Sequence, residues 1–241
     1  MTRTAEVSDS LRYCDDLIKA GDEDRWLTAR FAPEALRARL LALFAFHAEI
    51  ERIPHAVSEP PLGEIRLQWW REAIDEIVNA KQPRAHPVVQ AMAATGACEN
   101  DAAPLMLGMI EARARLLYDD AFGSIEELAR WCEETEGALA VVAARSYAVP
   151  SAVAVSRAGA AYGLARHGGA LAPALAADIK PYAEEALREA SSSLAGLQEP
   201  AASSLLYIAL ARRYLGKARA PSPLSKRLRL FRAAATGRLV G

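Results

Sequence analysis

Apolar side chains recur every three or four residues along most of the 241-residue chain, which is the spacing of amphipathic helices. One such stretch opens at Pro33 and ends at Pro54, because proline suits the first turn of a helix and cannot continue a later one. Its apolar positions are Leu36, Leu40, Leu43, Phe46, Ile50 and Ile53. Ser124 and Glu127 form a capping box that predicts another helix, up to about residue 148. The pattern therefore predicts an all-α protein.

Residues 58–80 predict a helix that begins at Pro60 and carries two adjacent tryptophans, Trp69 and Trp70. Its predicted core face is formed by Leu62, Ile65, Trp69, Ala73 and Ile77. Trp70 falls about 100° round the helix, beside Leu67, Ile74 and Val78, so this helix is expected to pack on two sides. Both tryptophans are therefore predicted to be buried and structural.

The polar positions of the same helix leave two interpretations open. They are Gln68, Arg71, Glu72, Asp75 and Glu76. They either form a solvated face with pairs such as Arg71–Asp75, or face a partner or ligand that needs charge.

Composition supports closely packed helices in one domain. Hydrophobic residues make up 52% of the chain, alanine dominates them, and the residue types that favour strands are sparse. No linker, repeat or change in composition marks a boundary before residue 220. Residues 1–220 are therefore predicted to form one helical domain, followed by a distinct segment at residues 221–241.

That C-terminal segment is defined by its charge. Nine of the 29 basic residues lie in residues 211–241, which contain no acidic residue, whereas residues 1–210 carry 20 basic and 30 acidic residues. The segment places Leu224, Leu228, Phe231 and Ala235 at helical spacing among Lys226, Arg227, Arg229 and Arg232. This pattern favours a helix that lies on an anionic membrane or on a partner, or one that caps the bundle. The acidic body favours a segment that projects from it.

Other classes of protein are disfavoured by simple counts. Cys14, Cys98 and Cys132 are odd in number and form no Cys-x-x-Cys pair, which argues against a disulfide framework and a zinc site. No uncharged run is long enough to cross a bilayer, and the first ten residues lack a signal-peptide pattern. The acidic body lacks aromatic platforms for bases, so no nucleic-acid partner is predicted. A cytoplasmic protein with peripheral contact to the inner membrane is expected.

Residues 40–77 read "LLALFAFHAEIERIPHAVSEPPLGEIRLQWWREAIDEI". This run resembles the squalene/phytoene synthase family, and most of all the branch that includes respiratory complex I assembly factors. Later segments resemble the same branch in order and spacing, so that the resemblance covers about residues 24–167; they are "HPVVQAM", "IEARARLLYDD", "SIEELARWCEETEGALAVVAARSY" and "AGAAYGLARH". The resemblance implies a single-domain helical bundle of the isoprenoid synthase type, built around a central cavity.

Active members of that family condense two prenyl diphosphates, and two Asp-rich motifs hold the Mg²⁺ that draws off the diphosphate. The first motif corresponds here to residues 46–55, with candidate positions Phe46, His47, Glu49, Glu51, Arg52 and His55. Of its three acidic positions, one is Glu51, and the others are Arg52 and His55. The second motif corresponds to residues 162–170, which begin at Tyr162 and contain no aspartate. These departures imply that prenyl transfer has been lost and that no cofactor is needed.

Several candidate residues allow two interpretations. His47, Glu51 and His55 are four residues apart, so they are either metal ligands or polar neighbours of the core stripe. Gln68, Arg71 and Glu72 border either the cavity mouth or a partner surface. The helix that carries substrate contacts in active relatives offers Glu111, Arg113, Arg115, Tyr118 and Asp119, which are equally typical of surface ion pairs.

The preferred interpretation is a synthase-like protein without prenyl transfer that acts in respiratory complex I assembly or binds an isoprenoid-like lipid. Its expected partners are therefore such a lipid, a respiratory-complex subunit and an anionic membrane surface. The alternative is a divergent prenyl transferase that depends on Mg²⁺, with Glu49 and Glu51 as metal ligands and Arg52 and Arg71 holding diphosphate.

Overall fold

The computed structural model describes residues 3–99, 101–118, 120–145, 149, 151–195, 197, 200–216 and 221–240. These residues form helices joined by turns, and none of them lies in a β-strand, so the all-α prediction is confirmed. The chain divides into two compact units, Met1–Asp120 and Ala121–Gly241. Composition does not mark that division. The boundary expected at residue 220 stays a prediction, because residues 217–220 lie outside the described residues.

After the first helix, the helices of the first unit begin where the sequence offers a cap or a proline. They are α1 (Arg3–Gly21), α2 (Glu23–Phe31), α3 (Glu34–Arg52), α4 (Pro60–Val78), α5 (Pro87–Thr95) and α6 (Ala103–Ala114), followed by a 3-10 turn at Arg115–Leu117. The Asp22 carboxylate accepts a hydrogen bond from the backbone N–H of Arg25, which starts α2. At α5 the His86 ring accepts one from the backbone N–H of Val88. Local sequence therefore sets these helix starts.

Helix α3 is the core element of the first unit. It packs against α1, α2, α5 and α6. The predicted stripe is confirmed, since Leu40, Leu43, Phe46 and Ile50 are all buried. Burying each such side chain is worth about 1.5–3 kcal/mol. The motif positions of α3 are thus fixed by a well-packed helix.

The predicted core face of α4 is wrong at its first two positions. Leu62 is 47% exposed and Ile65 is 66% exposed. The buried face instead follows Gly63, Leu67, Trp70 and Ile74, which recur at three- and four-residue intervals. Gly63 lies against the Leu117 side chain, which a Cβ atom at this position would meet. The second packed side predicted for α4, with Leu67, Trp70 and Ile74, is thus confirmed.

The second unit is also helical, and two of its helices contain π-turns. Its α-helices are α7 (Ile125–Cys132), α8 (Ala138–Ala144), α9 (Ala152–Gly163), α10 (Gly169–Leu171), α11 (Ala176–Leu194), α12 (Ala201–Ser204), α13 (Ala211–Leu215) and α14 (Pro223–Thr236). The π-turns are Glu133–Gly137 and Leu164–Gly168, and the 3-10 turns are Pro173–Leu175 and Leu206–Leu210. The helix predicted from residue 124 thus passes through a π-turn, and residues 146–148 at its expected end lie outside the described residues.

The start of α7 confirms half of the predicted capping box. The Ser124 hydroxyl accepts a hydrogen bond from the backbone N–H of Glu127 at 3.2 Å. The Glu127 carboxylate accepts from the backbone N–H of Gly123 at 2.6 Å, one residue before the position that the motif predicts. Both contacts stabilise the first turn of α7.

Glycines bring α9 against the first π-turn at very short range. A Cβ atom on Gly159 would lie 2.7 Å from the Glu136 carbonyl oxygen and 2.8 Å from the Ala140 Cβ. A Cβ on Gly163 would collide with the Glu136 side chain. The two segments therefore meet backbone to backbone, which fixes the position of Glu136 in the interior of this unit.

The C-terminal helix α14 does not project as expected. Leu230 and Ala233 are buried where α14 packs on the 3-10 turn Leu206–Leu210. Leu224, Leu228 and Phe231, the apolar stripe that the sequence showed, remain 60–69% exposed. The helix has two apolar faces, and the second one was missed because alanine contributes half of it. Among the described residues, no helix combines the length and the apolar character needed to cross a membrane.

The three cysteines are free and buried. Burial is the main cause that raises the pKa of Cys14 to about 12 and that of Cys98 to about 11. Cys132, beside Trp131 on α7, is fully buried. These thiols are core side chains rather than nucleophiles.

Candidate functional site

The positions of the first motif lie on different sides of α3. The Nδ1 atom of His47 is 3.7 Å from a carboxylate oxygen of Glu51, one turn further on. Glu49 lies about 200° round the helix from His47. Its carboxylate accepts from the Arg52 guanidinium at 2.6 Å. Helix α3 ends at Arg52, so His55 falls in an exposed turn and the stack of His47, Glu51 and His55 does not form.

His47 is paired with Arg113 of α6. The Nη2 atom of Arg113 lies 3.0 Å from His47 Nε2, and both side chains are buried. Arginine can only donate, so Nε2 is the acceptor and neutral His47 carries its proton on Nδ1, facing Glu51. Of the two interpretations left open for Arg113, the surface ion pair is therefore excluded, because this side chain is buried.

These contacts decide how well the first unit fits Mg²⁺. Magnesium prefers several oxygen ligands in octahedral geometry. On the His47 side of α3 the first unit offers one motif carboxylate, Glu51, beside an imidazole already bonded to the Arg113 cation. The first unit alone does not fit the magnesium cluster that the resemblance implies.

Glu49 belongs to a second polar group on the other side of α3. The Tyr13 hydroxyl donates to its carboxylate at 3.3 Å, in addition to the contact from Arg52. Burial and the nearby Glu49 charge raise the pKa of Tyr13. Glu49 and Glu51 are therefore not brought together as a pair of metal ligands.

A cleft of about 410 Å³ opens beside this group, and we call it the Trp69 cleft. It is lined by Glu49, Arg52, Ile53, Ile65, Arg66, Trp69, Trp70 and His86. Its walls are mostly aromatic and branched apolar side chains, and charged groups stand among them. That composition is typical of a binding site.

An aromatic cluster forms the floor of the Trp69 cleft. The Trp69 and Trp70 rings meet edge to face with centroids 5.1 Å apart, and His86 lies 5.4 Å from Trp69 and 5.3 Å from Trp70. Phe46 packs against Trp70 at 5.5 Å from the interior. Burial is the main cause that lowers the pKa of His86. Trp70 is buried as predicted, whereas Trp69 is only half-buried and faces the cleft.

The polar face of α4 forms a surface network. Arg71 donates to the Glu111 carboxylate at 2.7 Å and to the Gln68 side chain at 3.4 Å, so the predicted Arg71–Asp75 pair is wrong. Gln68 donates to Glu72 at 3.2 Å, and Asp75 binds Lys81 at 2.9 Å. A second cleft of about 420 Å³ runs along this network. Asp119, which the sequence analysis grouped with Glu111 as a candidate, lies outside the described residues.

Tyr162 lies in the interior of the second unit. Its hydroxyl accepts a hydrogen bond from Arg166 at 2.7 Å, and its ring meets Tyr207 with centroids 4.9 Å apart. It is fully buried. Tyr162 therefore has a packing role in the second unit, separate from the motif positions of α3.

The second unit also contains a pair of ligand-type side chains that the sequence analysis missed. Glu136 and His167 bring a carboxylate oxygen and a ring nitrogen within 4.8 Å of each other. Each residue lies on one of the two π-turns. Such turns often mark functional positions, but they leave no sequence pattern that would have identified this pair.

The basic residues of α14 fall into two groups. Arg227 and Arg232 are exposed beside Phe231. Lys226 stands over the Tyr214 ring, and Arg229 donates to the Ala209 carbonyl at 3.0 Å. The pKa of Arg229 is lowered by burial and by the nearby charges of Arg232, Arg213 and Arg212. The predicted basic surface is therefore a crowded cationic cluster, only part of which lies on the exposed side.

Comparison with known proteins gives matches over most of the chain. The squalene/phytoene synthase family model matches residues 18–172. A crystal structure of a dehydrosqualene synthase in complex with a ligand superposes with a TM-score of 0.73 at 13% identity, covering 97% of this chain and 98% of the synthase. The predicted isoprenoid synthase fold is thereby confirmed.

The curated relatives that match this chain are named as assembly factors rather than as synthases. The protein "NADH dehydrogenase (ubiquinone) complex I, assembly factor 6" of Bos taurus is 29% identical over 128 residues, which are 53% of this chain and 38% of the bovine protein. The Rattus norvegicus protein of that name is 29% identical over 133 residues, 55% of this chain and 40% of the rat protein. The Homo sapiens protein is 26% identical over 127 residues, 53% and 38% of the two chains. The matched segments thus span about two fifths of these relatives.

Proposed function

Because the chain belongs to the squalene/phytoene synthase family, we propose that it acts in the assembly of respiratory complex I and does not transfer prenyl groups. The observation that carries the proposal is the shared name of the bovine, rat and human relatives, which match more than half of this chain. The fold by itself is common to synthases and assembly factors of this family. The relatives' name therefore supports a role in assembly.

The geometry of α3 supports the absence of prenyl transfer. A synthase needs carboxylates free to hold Mg²⁺ against the departing diphosphate. Glu49 is held by Tyr13 and Arg52, and Arg71 is held by Glu111 and Gln68. Glu49, Arg52 and Arg71, which the prenyl-transferase alternative required, thus already have partners within the first unit. Isoprenoid-like lipid binding stays a prediction.

Loss of the protein should lower the amount of assembled complex I. We expect membranes from a deletion strain to lose most of their NADH:ubiquinone activity and of the complex I band on a native gel, and re-expression of the full chain to restore both. Succinate oxidation by the same membranes is the control and should not change. Normal complex I in the deletion strain would contradict the proposal. Incubation of the pure protein with farnesyl diphosphate and Mg²⁺ tests the alternative, which any condensation product would establish.

The proposal includes attachment to an anionic membrane surface through α14. Leu224, Leu228 and Phe231 form an exposed apolar stripe, and Arg227 and Arg232 are exposed beside it. Each basic residue near an anionic bilayer contributes about 1 kcal/mol to the free energy of binding. The apolar side chains strengthen binding further by inserting into the bilayer surface. Because Leu230 and Ala233 hold the opposite face on the second unit, the stripe can enter a membrane while α14 stays docked. This would place the protein on the cytoplasmic face of the inner membrane.

A double substitution of the stripe should release the protein from anionic vesicles. We expect Leu228→Ser with Phe231→Ser to reduce co-sedimentation at least about tenfold, since burying one such side chain is worth about 1.5–3 kcal/mol. Vesicles of phosphatidylglycerol and phosphatidylcholine are compared at low and high salt, and salt should weaken binding by the full chain. Leu107→Ser with Val153→Ser removes two other exposed apolar side chains and should pellet normally. Equal pelleting of both double variants would contradict membrane attachment through α14.

A further inference from the structure

The Trp69 cleft lies on the side of α3 that carries Glu49. Glu49, Arg52 and Ile53 line it, whereas His47 and Glu51 do not, and each of these two lies about 200° round the helix from Glu49. Its second wall comes from α4, and His86 closes one end. The cleft is therefore a feature of the first unit alone, and it is lined by Glu49 and Arg52 of the first motif rather than by Glu51, the acidic position that the motif retains.

Trp69 is held in position before any ligand arrives. The Arg84 guanidinium stacks over its ring at 4.8 Å, and Trp70 and His86 contact it at 5.1 and 5.4 Å. Arg84 is itself fixed by two contacts with the Glu76 carboxylate, at 2.6 and 2.9 Å. A preorganised aromatic side chain loses little conformational entropy on binding. Trp69 has the properties of an anchor for a ligand rather than those of a core residue.

An exposed apolar ridge continues from this anchor along α4. Leu62, Ile65 and Trp69 lie three and four residues apart, so they share one side of the helix. Ile65 is 66% exposed, and it lines both this cleft and the neighbouring one along the α4 network. Ile65 therefore stands as a ridge between two grooves. A helix face that only contacts water usually carries polar side chains, so an exposed isoleucine at this position favours a contact surface.

The charge of the cleft favours an acidic ligand. Glu49 is buried and already accepts from Tyr13 and Arg52, so its charge is compensated. Arg66 is exposed and makes no ion pair or hydrogen bond within the part of the chain that the structure describes. Burial lowers the pKa of His86, which keeps this ring neutral at pH 7. The lining thus carries one uncompensated positive charge, on Arg66.

We propose that the Trp69 cleft binds a short segment of a partner protein in which an acidic side chain lies beside an aromatic or branched apolar one. The carboxylate pairs with Arg66, and the apolar side chain covers Ile65 and the exposed face of Trp69. Tryptophan and arginine are the residues that most often dominate binding between proteins. The inference rests on the proposed function, since an assembly factor must bind a protein client, and it names the chemistry of that contact.

The test uses three synthetic hexapeptides and the full-length protein. The peptides are acetyl-Ala-Asp-Phe-Leu-Asp-Ala-amide and versions with both Asp residues changed to Asn or to Lys. Binding is followed by the indole N–H signals of Trp69 and Trp70 in NMR titrations. We expect the Asp peptide to shift both signals and to bind about tenfold more tightly than the Asn peptide, a difference of about 1.4 kcal/mol.

Charge reversal provides the decisive comparison. Arg66→Glu should weaken the Asp peptide at least about tenfold and make the Lys peptide the tighter ligand, because opposite charges then meet in the cleft. Arg130→Glu reverses another exposed arginine and should change neither affinity. Ile65→Ser should weaken all three peptides, whereas Val153→Ser, at an equally exposed position, should weaken none. Circular dichroism confirms that each variant is folded.

Two results would overturn the inference. One is that the protein binds the three peptides with equal affinity, or binds none of them and the indole signals do not change. The other is binding of sodium decanoate at the same indole signals without any peptide effect, which would assign the cleft to a lipid carboxylate. The titration uses pure protein and does not depend on complex I. The protein can therefore bind no peptide while deletion of the gene still lowers complex I, or bind the Asp peptide while deletion has no effect. The two proposals therefore fail separately.

Discussion

Replacing Trp70 by alanine should lower the free energy of unfolding by about 3–5 kcal/mol, the usual cost of truncating a buried aromatic side chain. Trp70 is only 4% exposed and contacts Phe46 and His86 as well as Trp69. It also lies on the buried face of α4 with Leu67 and Ile74. Truncation would remove these contacts and leave a cavity, so the first unit should lose much of its stability.

The adjacent residue provides the matched control. Trp69→Ala should cost clearly less, because its ring is half-exposed and one face contacts the Arg84 side chain. The free energy of unfolding of both variants is measured by urea unfolding, followed by circular dichroism. The fluorescence of Trp26 and Trp131, which both variants keep, gives a second signal for the same transition. Equal destabilisation by the two substitutions would show that Trp69 is a core residue, and it would remove the anchor from the Trp69 cleft.

Adding a single methyl group at Gly159 should destabilise the second unit by about 1–3 kcal/mol or more, because overpacking a tight core forces the backbone to move. The new Cβ would lie 2.7 Å from the Glu136 carbonyl oxygen and 3.1 Å from the Gly137 Cα. Both are backbone atoms and cannot turn aside as the end of a side chain can. The helix α9 would have to separate from the first π-turn.

The comparison variant is Gly108→Ala in the middle of α6. Nothing lies within 4 Å of a Cβ atom at that position. The substitution should raise stability by about 0.5–1 kcal/mol, since alanine favours helix over glycine. Thermal unfolding of the two variants should therefore shift in opposite directions. A Gly159→Ala protein that melts like the parent chain would show that α9 and the π-turn are less closely packed than described.

The spacing of apolar residues was sufficient to predict the buried face of a helix wherever large apolar side chains alone form that face. The stripe of α3 and the all-α class follow from spacing, and both are confirmed. On α4 the pattern predicted the buried side of Leu67, Trp70 and Ile74, but it also placed Leu62 and Ile65 in the core, and both are exposed. On α14 it found the exposed stripe and missed the docked face of Leu230 and Ala233. Close backbone contact through small residues is therefore what a hydrophobic pattern cannot show.

The candidate site was predictable only in part. Motif positions on α3 could be listed from the resemblance, but the partners of those side chains come from distant segments. Arg113 reaches His47 across 66 positions of sequence, and Tyr13 reaches Glu49 across 36. The role of His86 in the Trp69 cleft depends on the start of α5, which brings an isolated histidine against two tryptophans. Such contacts are set by helix packing and leave no local signal.

The two π-turns affect how this chain should be aligned with its relatives. A π-turn holds one residue more than an α-turn, so the side chains beyond it are rotated by about 100° relative to an uninterrupted helix. In a relative that lacks the extra residue at Glu133–Gly137 or Leu164–Gly168, the equivalent positions shift by one within a continuous helix. An alignment that allows gaps only in loops would then compare inward-facing side chains with outward-facing ones. Residues such as Glu136 and His167 should be matched across species only after a gap inside the helix has been tried.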